Sequence, residues 1–247
     1  MDLVDQLYQK FSGLLNIFFL IFRKRNHSYF LFRTCEPIVT DDDVINFYSA
    51  ISGNFEGAVQ YNKDNRGFEG AIDTNVTIDL LCDTMLAKNV SDPLRRYAAV
   101  NDIILNTYGQ KCLDASYDSF LNQMRQTSWN ESAAVGGRQW TYQTCVEFGY
   151  FQSTSSAHQP FGPTVPVEFY IQQCQDIFGQ GYNLTLLQDS VKNTNINYGG
   201  YGFEGSRVVF VNGQIDPWHA LGFYSNPPNE YTYTVFIEGN CISIFNF

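Results

Sequence analysis

The chain has 247 residues, enough for one large domain or two small ones, and 44% of them are hydrophobic, which excludes a disordered chain. A formal net charge of -10 excludes the basic face that nucleic acid requires; it suits work in an acidic compartment without fixing a location.

The first apolar run, Leu14 to Phe22, is followed by Arg23, Lys24 and Arg25, whereas Asp2 and Asp5 precede it. A signal peptide places its basic residues before the apolar run, and this run is too short to span a bilayer. It reads as a buried helix or strand, unless this start is not the natural one. Next comes "TDDDVINFYSAIS", opened by Thr40, with Val44, Phe47, Tyr48 and Ile51 on one helical face. "SDPLRRYAAVNDIILNTYG" opens with Ser91 as cap and Pro93 in the first turn, and closes on Gly109. "DASYDSFLNQMRQ", the stretch between Pro166 and Gly179, and "LTLLQDSVKN" read as further helices. The Gly/Tyr stretch at 197–205 is a boundary. Beyond it "RVVFVNG" and "YTYTVFIEG" carry strand signals. A helical body over roughly 35–200 thus precedes two strands.

The six cysteines, at 35, 82, 112, 145, 174 and 241, form no CxxC pair and no Cys/His spacing for zinc, so no metal is expected. Sequons at Asn26, Asn75, Asn89, Asn130 and Asn183, with the scattered cysteines, lean toward the secretory pathway.

Asp216 stands just past the apolar strand "RVVFVNG", where α/β enzymes place catalytic groups. The competing reading is a turn in which Asp216 caps backbone N–H groups and Pro217 sets φ; spacing alone favours the turn. His219 is too close along one tight turn to serve as the triad base, so a structural role suits it better. His158 reads as a loop residue, and His27 follows a basic run. No serine lies in G-x-S-x-G, and Cys145 lacks a nearby histidine in sequence.

Taken together, "VNGQIDPWHALG", "RQWTYQTCVEFGYFQ" and "FEGAVQYNKDNR", with "LFRTCEPI" and "FIEG", resemble serine peptidase family 28, which includes Pro-X carboxypeptidases and dipeptidyl peptidases. The resemblance runs from about Phe32 to Gly239. It implies a partial α/β-hydrolase: an uncertain segment over 1–34, a large, mostly helical cap over 35–205, and the last core strands over 206–247. The implied chemistry is acyl transfer through Ser, Asp and His, without a cofactor, on peptides with proline or small residues near a terminus. The family motif places the catalytic acid at Asp216 and a prolyl-pocket aromatic at Trp218. Gln143 and Glu147 fall at cleft-facing cap positions. Glu147 is suited to a substrate amine, and a structural hydrogen-bond role fits it equally. The resemblance also implies Cys35–Cys112 and Cys145–Cys174 disulfides, with the family partner of Cys82 lying upstream of this chain. Asn75, Asn89, Asn130 and Asn183 are the expected glycosylation sites. A lysosomal or extracellular location is expected, with no membrane span and no nucleic acid; a homodimer is compatible.

Two departures stand out. The family's nucleophilic serine precedes the motif matched at Phe32, and its catalytic histidine follows the final "EG", where this chain reads "NCISIFNF". The expectation is a fragment or truncated paralogue of a Pro-X-type exopeptidase, inactive as it stands. The alternatives are a non-catalytic secreted glycoprotein using the cap as a binding module, and a sequence missing its flanking exons.

Overall fold

A polar cap followed by an apolar stripe sets most of the helices. The computed structural model describes residues 25–62, 76–129, 136–157 and 159–238, with side chains from Ser28 onward. The apolar run at 14–22, Asn75, Asn130, His158 and Cys241 lie outside the described residues.

Helix α1 (Arg25–Leu31) leads into the longest helix, α2 (Asp41–Gln60). Thr40 caps α2 by accepting the Asp43 N–H, and the Asp43 carboxylate accepts the Thr40 N–H in return. This reciprocal box satisfies donors that a helix start leaves open. The stripe of Val44, Phe47, Tyr48, Ile51 and Phe55 is buried. The helix continues well past the "YSAIS" read from the sequence, straight through Gly53.

Helices α3 (Ile78–Met85) and α4 (Pro93–Thr107) follow. The cap of α4 is Asp92, whose carboxylate accepts the Leu94 N–H, and not Ser91 as read from the sequence. Pro93 occupies the first helical turn, so the residue directly before it takes the capping position. Helix α5 (Tyr117–Arg125) is capped by Ser116. Helix α6 (Gly137–Gln143) runs into a π-helical turn, Thr144–Phe148. Helix α7 (Val167–Phe178) lies between Pro166 and Gly179, and α8 (Leu184–Tyr198) is capped by Asn183.

One apolar cluster joins α2, α3, α4, α5 and α7, with Phe32, Phe47, Tyr97, Val100 and Phe169 among its buried members. Asn101 is buried there too and donates to the Phe32 carbonyl, which satisfies both polar groups. Cys35 is bonded to Cys112, and Cys145 to Cys174, with Cα separations of 4.9 Å and 5.8 Å. These are the pairs implied by the family resemblance. Around the first, Cys35 N–H donates to the Leu113 carbonyl, and Leu113 N–H to the Arg33 carbonyl.

Past a short 3-10 turn at Gly200–Gly202 come β1 (Val208–Gly213) and β2 (Thr232–Ile237), paired in parallel with Val208 opposite Thr232. The connection between them holds a 3-10 helix, Pro217–Leu221. Among the described residues these are the only strands, so the observed architecture is a helical body followed by a two-stranded parallel sheet. None of the described helices is long and apolar enough to cross a membrane.

Candidate active site

Strand β1 ends on two buried residues, Asn212 and Gly213. The Asn212 amide donates to the Phe223 carbonyl at 2.8 Å, folding the following loop back over the strand end. Gly222 makes this closure feasible, because a Cβ there would stand 2.8 Å from Asn212 Oδ1. Asp216 begins the 3-10 helix of this loop, and its carboxylate accepts the Trp218 N–H at 3.0 Å. The residue is only 5% exposed, so the carboxylate is held at the strand's C-terminal end and not in open solvent. Asp216 therefore caps its own turn, three residues past the end of β1.

His219 Nδ1 is 2.6 Å from the Asp216 backbone carbonyl, not from its carboxylate. The ring meets Tyr224 and Phe236 edge-on, at 5.1 Å and 5.3 Å between centroids. It is a packing group that ties the turn to β2. His27 lies within α1.

Trp218 leaves the turn on the side of the helical body and meets Trp140 of α6 edge-on, 5.6 Å between centroids. The two indoles close an aromatic cavity of about 210 Å³ that also contains Tyr150, Phe151 and Tyr170. Phe151 and Tyr170 stack at 5.3 Å, and the Tyr170 hydroxyl donates to the Gln152 carbonyl. Tyr150 adopts a left-handed φ of 54°, directly after Gly149 at φ 68°. A left-handed tyrosine costs backbone energy and is found where the surroundings fix it, often at a site. A second hollow of about 280 Å³ adjoins on the other flank of Trp218, between Tyr150 and Leu221. Of these cavity-lining aromatics the sequence singles out Trp218, and not Trp140, Tyr150 or Tyr170. Trp140 and Tyr150 lie inside the quoted stretch "RQWTYQTCVEFGYFQ", where only their aromatic character marked them.

Gln143 and Glu147 line a different and larger cleft, about 480 Å³, on the other flank of α6. The π-helical turn offsets the backbone between Gln143 and Glu147, and such bulges recur at functional sites. The Cys145–Cys174 bridge fixes this turn to α7. The Tyr142 and Tyr182 rings lie 6.0 Å apart in the cleft, and Tyr182, by hydrogen bond and then by charge, pushes the Tyr142 phenol above its usual range, with burial and lastly the Glu147 charge adding to it. Arg138 is committed elsewhere: its guanidinium donates to the Met124 carbonyl and lies 4.7 Å over the Phe178 ring. Among the described residues no cluster of His, Cys, Asp and Glu could hold a metal ion.

Of the expected glycan acceptors, Asn89 is exposed on a turn between α3 and α4. Asn183 uses Oδ1 to accept the Leu186 N–H. That leaves its Nδ2, the atom to which an N-linked sugar attaches, outside the capping bond.

A family model described as serine carboxypeptidase S28 matches residues 11–243. A Caenorhabditis elegans protein that carries a serine protease name is 36% identical over 200 residues, covering 77% of this chain and 38% of the relative. The mouse thymus-specific serine protease is 30% identical over 191 residues, covering 76% of this chain and 36% of the relative. The chain thus spans little more than a third of the length of these relatives.

Proposed function

The chain belongs to the serine carboxypeptidase S28 family, and from that premise we propose that it supplies the catalytic acid and the substrate-binding cap of a serine-type exopeptidase acting near proline or small residues. Residues 35–205 form the cap in this reading, and 206–247 the last strands of an α/β-hydrolase core. The observation that carries it is the placement of Asp216. A buried carboxylate lies three residues past the end of a parallel strand, and the next residue but one, Trp218, walls an aromatic cavity against the helical body. In a complete triad the serine attacks the scissile carbonyl and the imidazole takes its proton. The acid holds that imidazole in the right tautomer and stabilises its charged form. Asp216 is suited to the last role alone. Trp218 and Trp140 offer flat apolar faces to a pyrrolidine ring, and Gln143 and Glu147 offer polar contacts to the rest of a peptide. The two disulfides support folding in an oxidising compartment, which fits a secreted or lysosomal protein.

A second reading has its own observation. The Asp216 carboxylate already serves its own turn and His219 faces a backbone carbonyl, which suits a cap kept as a peptide-binding module without chemistry.

Both readings require peptide binding at Trp218. Intrinsic fluorescence of the purified chain is titrated with blocked peptides containing Ala-Pro or Ala-Ala. The Ala-Pro peptide should bind more tightly, and Trp218→Ala should erase the preference while Trp218→Phe keeps part of it. Equal binding of the two peptides, or a preference untouched by Trp218→Ala, overturns the pocket assignment.

A further inference from the structure

We propose that the cleft on the outer flank of α6 holds a basic side chain of a bound peptide, about three residues away from the one seated against Trp218. The spacing rests on the peptide-binding reading above; the chemistry of the cleft stands by itself. Helix α6 and its π-helical turn have two working flanks. Trp140, Thr141 and Thr144 face the aromatic cavity, whereas Tyr142, Gln143 and Glu147 face the cleft. The ridge between them, Gln139, Trp140 and Gln143, is exposed, so a peptide lying across it reaches both. A helix with its side chains is about 10 Å across. An extended chain advances roughly 3.3 Å per residue, and the ratio gives the register of about three.

The selectivity follows from the lining. Glu147 is exposed and is the one carboxylate among the described lining residues; among the described residues it forms no ion pair. Tyr142 and Tyr182 line the same cleft, their rings 6.0 Å apart. A carboxylate that shares a cleft with phenol rings is a setting for an ammonium or guanidinium group, which can gain a charge-assisted hydrogen bond and cation–π attraction there. Arg138 is the one cation among the described lining residues, and its charge is turned to the Met124 carbonyl and the Phe178 ring. It therefore confines a basic ligand to the Glu147 end of the cleft. The net charge of -10 favours approach of cationic peptides.

The test uses the full purified chain and calorimetric titration with blocked peptides. Each carries proline, with lysine, norleucine or glutamate three residues before or after it. We expect one lysine peptide to bind at least tenfold more tightly than its norleucine counterpart, with the advantage shrinking as salt rises. Glu147→Gln should remove that advantage, and Tyr142→Leu should reduce it, with far-UV circular dichroism unchanged. Equal affinity for lysine and norleucine peptides, a lysine advantage that survives Glu147→Gln, or a preference for glutamate each overturns the proposal. Exchange of proline for alanine separates the two claims. A lysine advantage without a proline preference keeps the basic subsite and removes the Trp218 pocket. A proline preference without a lysine advantage does the reverse.

Discussion

Asp216 combines a local duty with the proposed catalytic one, and substitution can separate them. As the cap of the Pro217–Leu221 turn it accepts the Trp218 N–H, a bond that asparagine reproduces and alanine cannot. Asp216→Ala should therefore destabilise the chain by about 1 kcal/mol, and Asp216→Asn by a few tenths, measured as urea midpoints at constant m. In an enzyme completed with the serine and histidine, the order reverses in significance. Asp216→Asn keeps the turn but cannot hold the imidazole in its working tautomer, so kcat should fall by about four orders of magnitude. Retained activity in the asparagine variant would reduce Asp216 to a cap. This residue was legible in the sequence because a strand, a glycine, an acid and a proline follow one another in a fixed order. Trp140 and Tyr150 were not, because the contact of Trp140 with Trp218 spans 78 positions and the left-handed Tyr150 backbone has no sequence signal of its own.

At the scale of elements, α2 carries two carboxyls with opposite pH behaviour. Burial pushes Glu56 up to about 7 from 4.5, with the Ser52 hydroxyl acting weakly the other way. For Asp43 burial also opposes the charge. The N–H groups of Thr40, Tyr117 and Val39 outweigh it, and its pKa is lowered. The folded state thus binds the Glu56 proton more tightly than the unfolded state does. Its effect on stability is absent below pH 4.5, becomes a penalty as pH rises toward 7, and is constant above that. The penalty is at most about 3 kcal/mol. Relative to wild type, Glu56→Gln should gain stability at pH 7.5 and little at pH 4.5. A parallel pH dependence in both proteins would show that Glu56 titrates normally. Asp43 works the other way: its contribution is present above the unfolded carboxyl pKa and is lost as pH falls through its depressed value. The Cys145–Cys174 bridge closes a separation of 29 residues. Its removal by paired serine substitutions should cost roughly 3–4 kcal/mol. The π-helical turn should loosen with it, weakening peptide binding at Glu147 more than at Trp218. Capped helices with a buried stripe, such as α2 and α7, were readable from sequence. Helix α6 was not, because none of its residues is buried and periodicity has nothing to mark. The start of α4 slipped by one residue because Ser91 and Asp92 are both good caps, and only the seating of Pro93 in the helix decides between them.

At the scale of the whole molecule, the described helical body and the described sheet are buried to different degrees. The helices bury one continuous apolar cluster to which neither strand contributes. Val209, Val211, Tyr233, Val235 and Phe236 on β1 and β2 are exposed, although parallel strands are ordinarily covered on both faces. The chain should therefore bind an apolar dye such as ANS and self-associate at modest concentration. The 247 residues contain no G-x-S-x-G segment, the backbone and side chain that such hydrolases use for both nucleophile and oxyanion hole. His219 Nδ1 is bonded to a backbone carbonyl, so it does not stand as a base on the Asp216 carboxylate. An acid acts in such chemistry only through a nucleophile and a base, and the catalysis left in ordinary triad mutants comes from the oxyanion hole and substrate binding. The purified chain should thus show no turnover of proline-containing fluorogenic peptides at mildly acidic or neutral pH, while still binding them at Trp218. Turnover that is lost on Asp216→Asn and blocked by a serine-directed inhibitor would show that these residues hold a complete triad.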